Sequence, residues 1–421
     1  MAEPGWVATV TTRLTSAEDR RWLTPGVQAV GAASFFSDAG HEITTAVLPA
    51  FVTGTLGASA GALGLIDGVS DALVGVMKLV AGPWADDPHR RAGIATGGYV
   101  GTAAAIGAIG AATTVWQVGL LRAGAWVSRG LRSPSKDALL ASLVPEEAAH
   151  GRAFGIERAG DNLGAVVGPL LAALLVAGLG VRPALYLAAI PGMFAAIAIM
   201  FAARQARRQA QQSSGLTTVC RRLDLGALRD AGMLRALLPV VLFQCGNLAV
   251  TLMILRASQL LITSHRSMAA ATSLAILLYA AHNAVATVAS LVAGFWFDRS
   301  GPRVVFACSA ASYVVGYTLF AAGSHVILVV LLAFLLAGTG IGLAEPTQSA
   351  VVSRLLPDRL RGSGFGVLGA VQSVGDLAAT VVAGALYAWV APAVAFGYAA
   401  FWMVGAVFAA GLLRPVESGS M

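Results

Sequence analysis

Apolar runs of about 20 residues recur along the whole of this 421-residue chain, and no tract between them reads as a soluble domain. A helix of that length crosses about 30 Å of hydrocarbon, and inside lipid a helix satisfies all of its own backbone polar groups. Only 12% of the residues are charged and the mean hydropathy is +0.75. That is about half the charged fraction of an ordinary soluble domain. The chain therefore reads as an all-α integral membrane protein. Spans are predicted at 28–54, 60–83, 93–113, 115–137, 150–178, 183–203, 234–262, 268–297, 302–322, 325–348, 361–390 and 392–413, twelve in all.

The charges fall unevenly between these spans. Arg13, Arg20 and Arg21 precede the first span and Arg414 follows the last. Arg90, Arg91, Arg152, Arg299, Arg303, Arg354 and Arg359 occupy every second gap, and the central gap adds Arg204, Arg207, Arg208, Arg221, Arg222 and Arg229. The alternate gaps are short and hold little beyond Arg182 and Arg266. The positive-inside rule then places both termini and the central loop in the cytoplasm. The net charge of +7 follows from this asymmetry, and with no folded basic face no nucleic-acid partner is expected. Cys220, Cys245 and Cys308 have neither metal-ligand spacing nor a disulfide pattern, so no metal is expected. The polar first 25 residues lack the apolar core of a signal peptide, so the first span is expected to act as an uncleaved anchor.

An internal repeat organises the spans. GPWADDPHRR from Gly82 resembles GFWFDRSGPR from Gly294, 212 residues later, and the same offset carries Pro134 onto Pro346 and Pro145 onto Pro357. An offset of 211 carries Phe154-Gly155 onto Phe365-Gly366. The chain thus reads as two six-helix halves in parallel orientation: a segment 1–27, a first half 28–203, an Arg-rich linker 204–233, a second half 234–413 and a tail 414–421. Parallel repeats of this kind flank a midplane site in alternating-access transporters.

The two decapeptides resemble the G-x-L-A-D-R-x-G-R-[KR] signature of the major facilitator superfamily, found between its second and third helices and, more weakly, between its eighth and ninth. The first copy keeps Gly82, Ala85, Asp86, Arg90 and Arg91, with Trp84, Asp87 and His89 where Leu, Arg and Gly are usual. The second keeps Gly294, Asp298, Arg299, Gly301 and Arg303. The resemblance covers the whole chain and implies a secondary transporter acting on a small-molecule substrate in a lipid bilayer, with a proton gradient as its driving force, no cofactor and no catalytic residues. It also implies a gate. Asp86 is expected to pair with Arg90 or Arg91, with Asp137 as the alternative partner of those arginines, unless the cluster only sets topology. GDNLGAVVGPLLAALL from Gly160 resembles part of a helix-five motif of proton-coupled exporters: Gly164, Gly168 and Pro169 match, whereas Ala172 and Ala173 replace two glycines. Sealing of the path and plain helix packing both fit it.

Ionisable residues inside the spans are the candidate machinery, since a charge at bilayer depth costs roughly 2.5–3.5 kcal/mol and usually faces a cavity or a partner. Asp38 and Glu42 share a face of the first span with His41 beside them, and Asp67 and Asp71 form a second four-residue pair. Counting Asp38, Glu42, Asp67, Asp71, Glu157 and Asp161 against Lys78, Arg122 and Arg158 leaves an acid excess. Dehydration disfavours the charged form of a carboxyl, so Asp38, Glu42, His41, Asp71 and Asp161 are the proton-coupling candidates. Asp67, Arg122 and Asn162 of the first half, with Gln244, Asn247, Tyr279, His282, Asn283, Gln372 and Asp376 of the second, are the cavity candidates. The acid excess points to proton antiport exporting amphipathic cationic or neutral compounds. The alternative is a proton symporter importing a metabolite whose anionic group meets Arg122 or Arg158. No hydrolase, zinc-protease or phosphate-loop motif is present, so an enzyme is not expected. Two lysines against abundant arginine suggest GC-rich bacterial coding, hence a bacterial inner membrane, and the chain is expected to act as a monomer.

Overall fold

The structure, a computed structural model, describes residues 22–144, 146–212, 223–262 and 266–413. The expected N-terminal segment up to residue 21, Pro145, most of the central linker with Arg221 and Arg222, and the tail from Arg414 lie outside them. Twelve membrane helices follow one another: α1 (Pro25–Pro49), α2 (Ala60–Ala85), α3 (Pro88–Ile109), α4 (Val115–Leu143), α5 (His150–Leu179), α6 (Val181–Leu187 and Ala189–Gln212), α7 (Met233–Gly246 and Val250–Leu261), α8 (Met268–Ser300), α9 (Pro302–Ala322), α10 (Ile327–Leu355), α11 (Asp358–Trp389) and α12 (Pro392–Ala409). Among the described residues nine of these are long and apolar enough to cross a membrane on composition alone. The other three, α1, α2 and α4, are interrupted along their length by ionisable side chains: Asp38, His41 and Glu42 in α1, Asp67, Asp71 and Lys78 in α2, and Arg122, Arg129, Arg132, Lys136 and Asp137 in α4.

Local chemistry sets the helix ends. Thr24 caps α1 by accepting the Val27 N–H, with Pro25 at the first helical position, and Ser59 caps α2 in the same way. Asp87, a departure from the usual signature, caps α3: its carboxylate accepts the His89 N–H at 2.9 Å, and Pro88 follows it. Gly301 adopts φ 76°, a conformation open to glycine, where α8 turns into α9. Pro49 ends regular α-helix in α1, and the chain continues as a π-helical turn over Ala50–Thr55. The α7 helix breaks between Gly246 and Val250; there the Leu248 N–H, freed from a helical partner, donates to the Tyr317 hydroxyl at 3.1 Å.

The buried apolar side chains form three cores. One belongs to the first half alone (Ile43, Phe51, Ile106, Trp126, Leu185) and one to the second half alone (Phe243, Tyr313, Phe320, Phe334, Phe396). The third contains residues of both halves, among them Trp22, Phe154, Leu237, Phe297 and Phe365. This shared core lies at the end that carries Trp22 and Leu223, called the inner end below. The halves are joined there by α2 against α11 and α5 against α8. Toward the opposite, outer end each half keeps its own core. The molecule is closed at the inner end.

Candidate functional site

The glycines of the repeat build the inner closure. An added Cβ on Gly82 would lie 3.0 Å from the Gly362 carbonyl oxygen and 3.3 Å from Gly366 Cα, so α2 and α11 meet backbone to backbone. Across the pseudo-twofold, a Cβ on Gly294 would lie 2.6 Å from the Gly151 carbonyl oxygen and 2.8 Å from Arg152 Cα, joining α8 to α5 in the same way. That approach delivers the signature acids to helices of the opposite half, Asp298 to the N-terminus of α5 and Asp86 to the second turn of α11. Asp86 accepts the Ser363 N–H at 2.9 Å and the Ser363 hydroxyl, in the first turns of α11. Asp298 accepts the N–H groups of Gly151 (2.9 Å) and Arg152 (3.0 Å) at the start of α5. Unpaired N–H groups and the helix dipole make such an end an anion site.

The partners expected for Asp86 are thereby corrected. Arg90 is half-exposed and reaches only Asp87, at 3.4 Å. Arg91 is buried; its guanidinium donates to the carbonyls of Ala85 and Ala138 and to Asp358 Oδ1 at 3.0 Å, so it too ties the halves together, but through α11. Asp137 lies 3.6 Å from Lys136 rather than beside either arginine. In the second copy Asp298 is also held by the Arg152 guanidinium at 3.0 Å and by Arg354, Arg303 donates to the Leu413 carbonyl, and Arg299 is exposed. The two locks therefore differ: Asp298 is met by two guanidinium groups, Asp86 by a serine. Asp86 lies in the loop beyond α2, and burial pushes its carboxyl up to about 6 against the opposing effect of the Ser363 bonds.

Above the closure lies a polar cavity of about 230 Å³ between the halves. Gln244, Asn247, Gln372, Asp376 and Asp161, all singled out in the sequence, line it. Asn247, turned out by the break in α7, donates to Asp376 at 3.0 Å, and Gln372 donates to Gln348 at 2.7 Å. The remaining cavity candidates stand elsewhere, most of them held by a local partner, while the buried Asn283 Nδ2 has no hydrogen-bond partner among the described residues. Arg122 is buried over the Trp126 ring at 3.7 Å and pairs with Asp67 at 3.4 Å. Asn162 donates to Ser290 at 3.2 Å across the α5–α8 seam. In α8, His282 meets the Phe334 carbonyl at 3.1 Å and lies beside the Tyr279 ring, and Asn283 is buried.

The proton-coupling candidates divide likewise. Asp38 accepts from Arg129 at 2.9 Å. His41 lies 3.8 Å from Glu42 and against the Trp126 ring, whose Nε1–H donates to Asp71 at 2.8 Å. Asp161 pairs with Arg158 at 3.1 Å. The helix-five glycines pack α5 on α1 beside these acids: a Cβ on Gly164 would lie 2.9 Å from Asp38 Cβ, and one on Gly168 would lie 2.5 Å from Glu42 Cβ. Pro169 lies within the same helix.

The sequence reading missed the basic face of α4. Arg122, Arg129 and Lys136 are seven residues apart, with Arg132 between the last two, so they form one stripe. Arg129, Arg132 and Lys136 line the cavity together with Lys78 and Arg158. Counting Arg129, Arg132, Lys136 and Asp137 with the earlier groups gives seven acids against six bases in the first half, and the acid excess shrinks to one. Lys136 bonds the fully buried Glu157, which also accepts from Ser34 at 2.9 Å. The seven-residue repeat of basic residues was the available signal.

Two matches to the Major Facilitator Superfamily family model, over residues 30–281 and 237–420, span the described helices. The chain belongs to the Major Facilitator Superfamily. An uncharacterized protein of Mycobacterium tuberculosis is 31% identical over 347 residues, 80% of this chain and 81% of that one. An uncharacterized MFS-type transporter of Methanocaldococcus jannaschii is 24% identical over 390 residues, covering 90% and 93%. Among solved structures, the Escherichia coli fucose:proton symporter FucP superposes with a TM-score of 0.68 over 94% of this chain and 100% of that one, at 16% identity. The twelve helices in two parallel halves are thus the facilitator fold, and this facilitator is a membrane-embedded transporter of small molecules.

Proposed function

We propose that this facilitator is a proton-coupled secondary transporter that works by alternating access and takes up a small hydrophilic solute bearing an anionic group. The observation that carries the reading is the Asp38–Arg129 pair at 2.9 Å, with Arg129 on the cavity wall. With Asp38 ionised, Arg129 is occupied. A proton on Asp38 cancels that attraction and leaves the guanidinium to an anion in the cavity. Proton and anion then favour each other's binding, which is the thermodynamic requirement for symport. Glu42, one turn along α1 and next to His41, is placed to receive the proton from the outer side. Taking the Arg-rich inner end as cytoplasmic, we read the closed inner end as an outward-facing state whose inner gate is held by Asp86 on Ser363 and Asp298 on α5.

A second reading, antiport export of amphipathic cations or neutral compounds, draws on the α5 motif, whose Gly164 and Gly168 touch α1 at Asp38 and Glu42. Five basic side chains on the cavity wall oppose it. Proteoliposomes loaded with a pH-sensitive dye separate the two. Adding a small carboxylate outside is expected to acidify the lumen in step with uptake, and the Asp38→Asn variant to abolish the coupled proton flux. Lumenal alkalinisation on solute uptake would establish antiport.

A further inference from the structure

The first half contributes Lys78, Arg129, Arg132, Lys136 and Arg158 to the cavity wall against Asp137 and Asp161. The second half contributes Glu345 and Asp376 and no base. The walls are therefore of opposite sign.

Most of these charges are engaged within the protein. Lys136 is taken by Glu157, Arg158 by Asp161 and Glu157, and Arg129 by Asp38. Three are not. Arg132 is only 6% exposed, donates to the Ser37 hydroxyl at 2.7 Å and stacks over Tyr99 at 3.8 Å, yet it meets no carboxylate within 4.0 Å and its Nη1 has no hydrogen-bond partner among the described residues. Lys78 makes no ion pair within 4.0 Å among the described residues; Asp376 accepts from the Asn247 amide, and Lys78 acts on it across the cavity from beyond ion-pair distance. Buried charge without a counter-ion is costly to maintain. Two spare cations on one wall and a spare carboxylate on the other are the complement of a dipolar solute.

We infer that the solute is a zwitterion, its anionic group held by Arg132 of the first half, joined by Arg129 once Asp38 takes up its proton, and its cationic group on Asp376 of the second. This deepens the proton-coupled transport reading above and rests on it. A purely anionic solute leaves Asp376 unmatched, and a purely cationic one meets five bases; each exclusion is built by unpaired charge rather than by shape. The cavity of about 230 Å³ has room for a small dipolar solute such as an amino acid, a dipeptide or a betaine.

Three matched triplets test the charge requirement on the purified full-length chain in nanodiscs, with ligand-induced thermal stabilisation as the binding readout. They are phenylalanine with N-acetylphenylalanine and phenylalanine methyl ester; alanylalanine with its N-acetyl and amide forms; and glycine betaine with N-acetylglycine and choline. At least one zwitterion is expected to bind at least tenfold more tightly than both of its singly charged counterparts. Arg132→Gln and Asp376→Asn should each remove at least tenfold of that affinity, while Arg132→Lys and Asp376→Glu, which keep the charges, restore part of it and guard against misfolding. An anion or cation that binds as well as its zwitterion, or a panel in which no zwitterion binds, overturns the inference. Counterflow of the bound zwitterion in proteoliposomes keeps the two readings apart: binding without counterflow refutes transport through this cavity and leaves the charge requirement standing, whereas counterflow of the anion alone refutes the zwitterion and leaves transport standing.

Discussion

At the scale of single residues, the proposed coupling requires a proton to decide whether a guanidinium is available. Asp38 is 8% exposed and its charge is met by Arg129 alone among the described ion pairs. Asp38→Asn should therefore fix Arg129 in its available state: solute binding persists and loses its pH dependence, whereas proton-driven accumulation falls at least tenfold. Equal accumulation in wild type and variant, measured with an imposed pH gradient, would falsify the coupling role. Asp86 makes a different prediction. Its carboxyl, ordinarily near 3.8, stands at about 6 in the closed gate because burial disfavours its charge. A group bound more tightly to its proton in one state stabilises that state at low pH. The closed gate is thus most favoured below about pH 4 and loses that contribution as pH rises through 6. In a background with Cys220, Cys245 and Cys308 replaced, Ser373→Cys on the cavity wall should react from the inner side with a rate that rises with pH over this range more steeply than thiolate formation alone requires, and adding Asp86→Asn should remove that excess.

At the scale of helices, the gate depends on backbones that approach without side chains between them. Gly294→Val places methyl groups where a Cβ alone already lies 2.6 Å from the Gly151 carbonyl oxygen, so α8 must move off α5 and Asp298 loses the N–H groups of Gly151 and Arg152. A charge-assisted hydrogen bond contributes roughly 1.5–3 kcal/mol, so losing two shifts the balance toward inward-open by a factor of a hundred or more. Transport should fall below a tenth of wild type at normal abundance. Gly93→Ala, with nothing within 4 Å of its Cβ, should leave transport unchanged. The sequence shows this element scale well, because hydropathy, the 212-residue repeat and the paired Gly–Asp motifs are local patterns that a fixed helical geometry turns directly into topology. It shows the site less well. That Asp86 meets Ser363, 277 residues away, depends on how α2 crosses α11, which no local pattern encodes; proximity in the chain favoured Arg90 and Arg91 instead. The basic stripe of α4 was legible in principle, but ending that span at 137 placed Lys136 and Asp137 at its margin, whereas the helix runs on to Leu143.

At the scale of the whole molecule, the distribution of the cores states which motion is available. The inner core draws side chains from both halves, while the outer cores are private to each. Opening the inner end disrupts the shared core and the two acid–helix locks, yet leaves both private cores intact. Each half can then turn as a rigid body about the cavity between them. In the outward-facing reading proposed above, the closed inner end leaves the outer side as the route to the cavity. Membrane-impermeant thiol reagents read this directly. In the cysteine-free background, Ser214→Cys in the central linker should label only from the cytoplasmic side and so fix the orientation, while Ser373→Cys, half-buried on the cavity wall, should label in intact cells from outside. Adding Gly294→Val should reverse the second result without touching the first, because it opens the inner seam and leaves the topology alone. Labelling of Ser214→Cys from outside would invert the assignment of the gate, and Ser373→Cys reactive only in inside-out vesicles of the unmodified gate would mean that the resting state is inward-open.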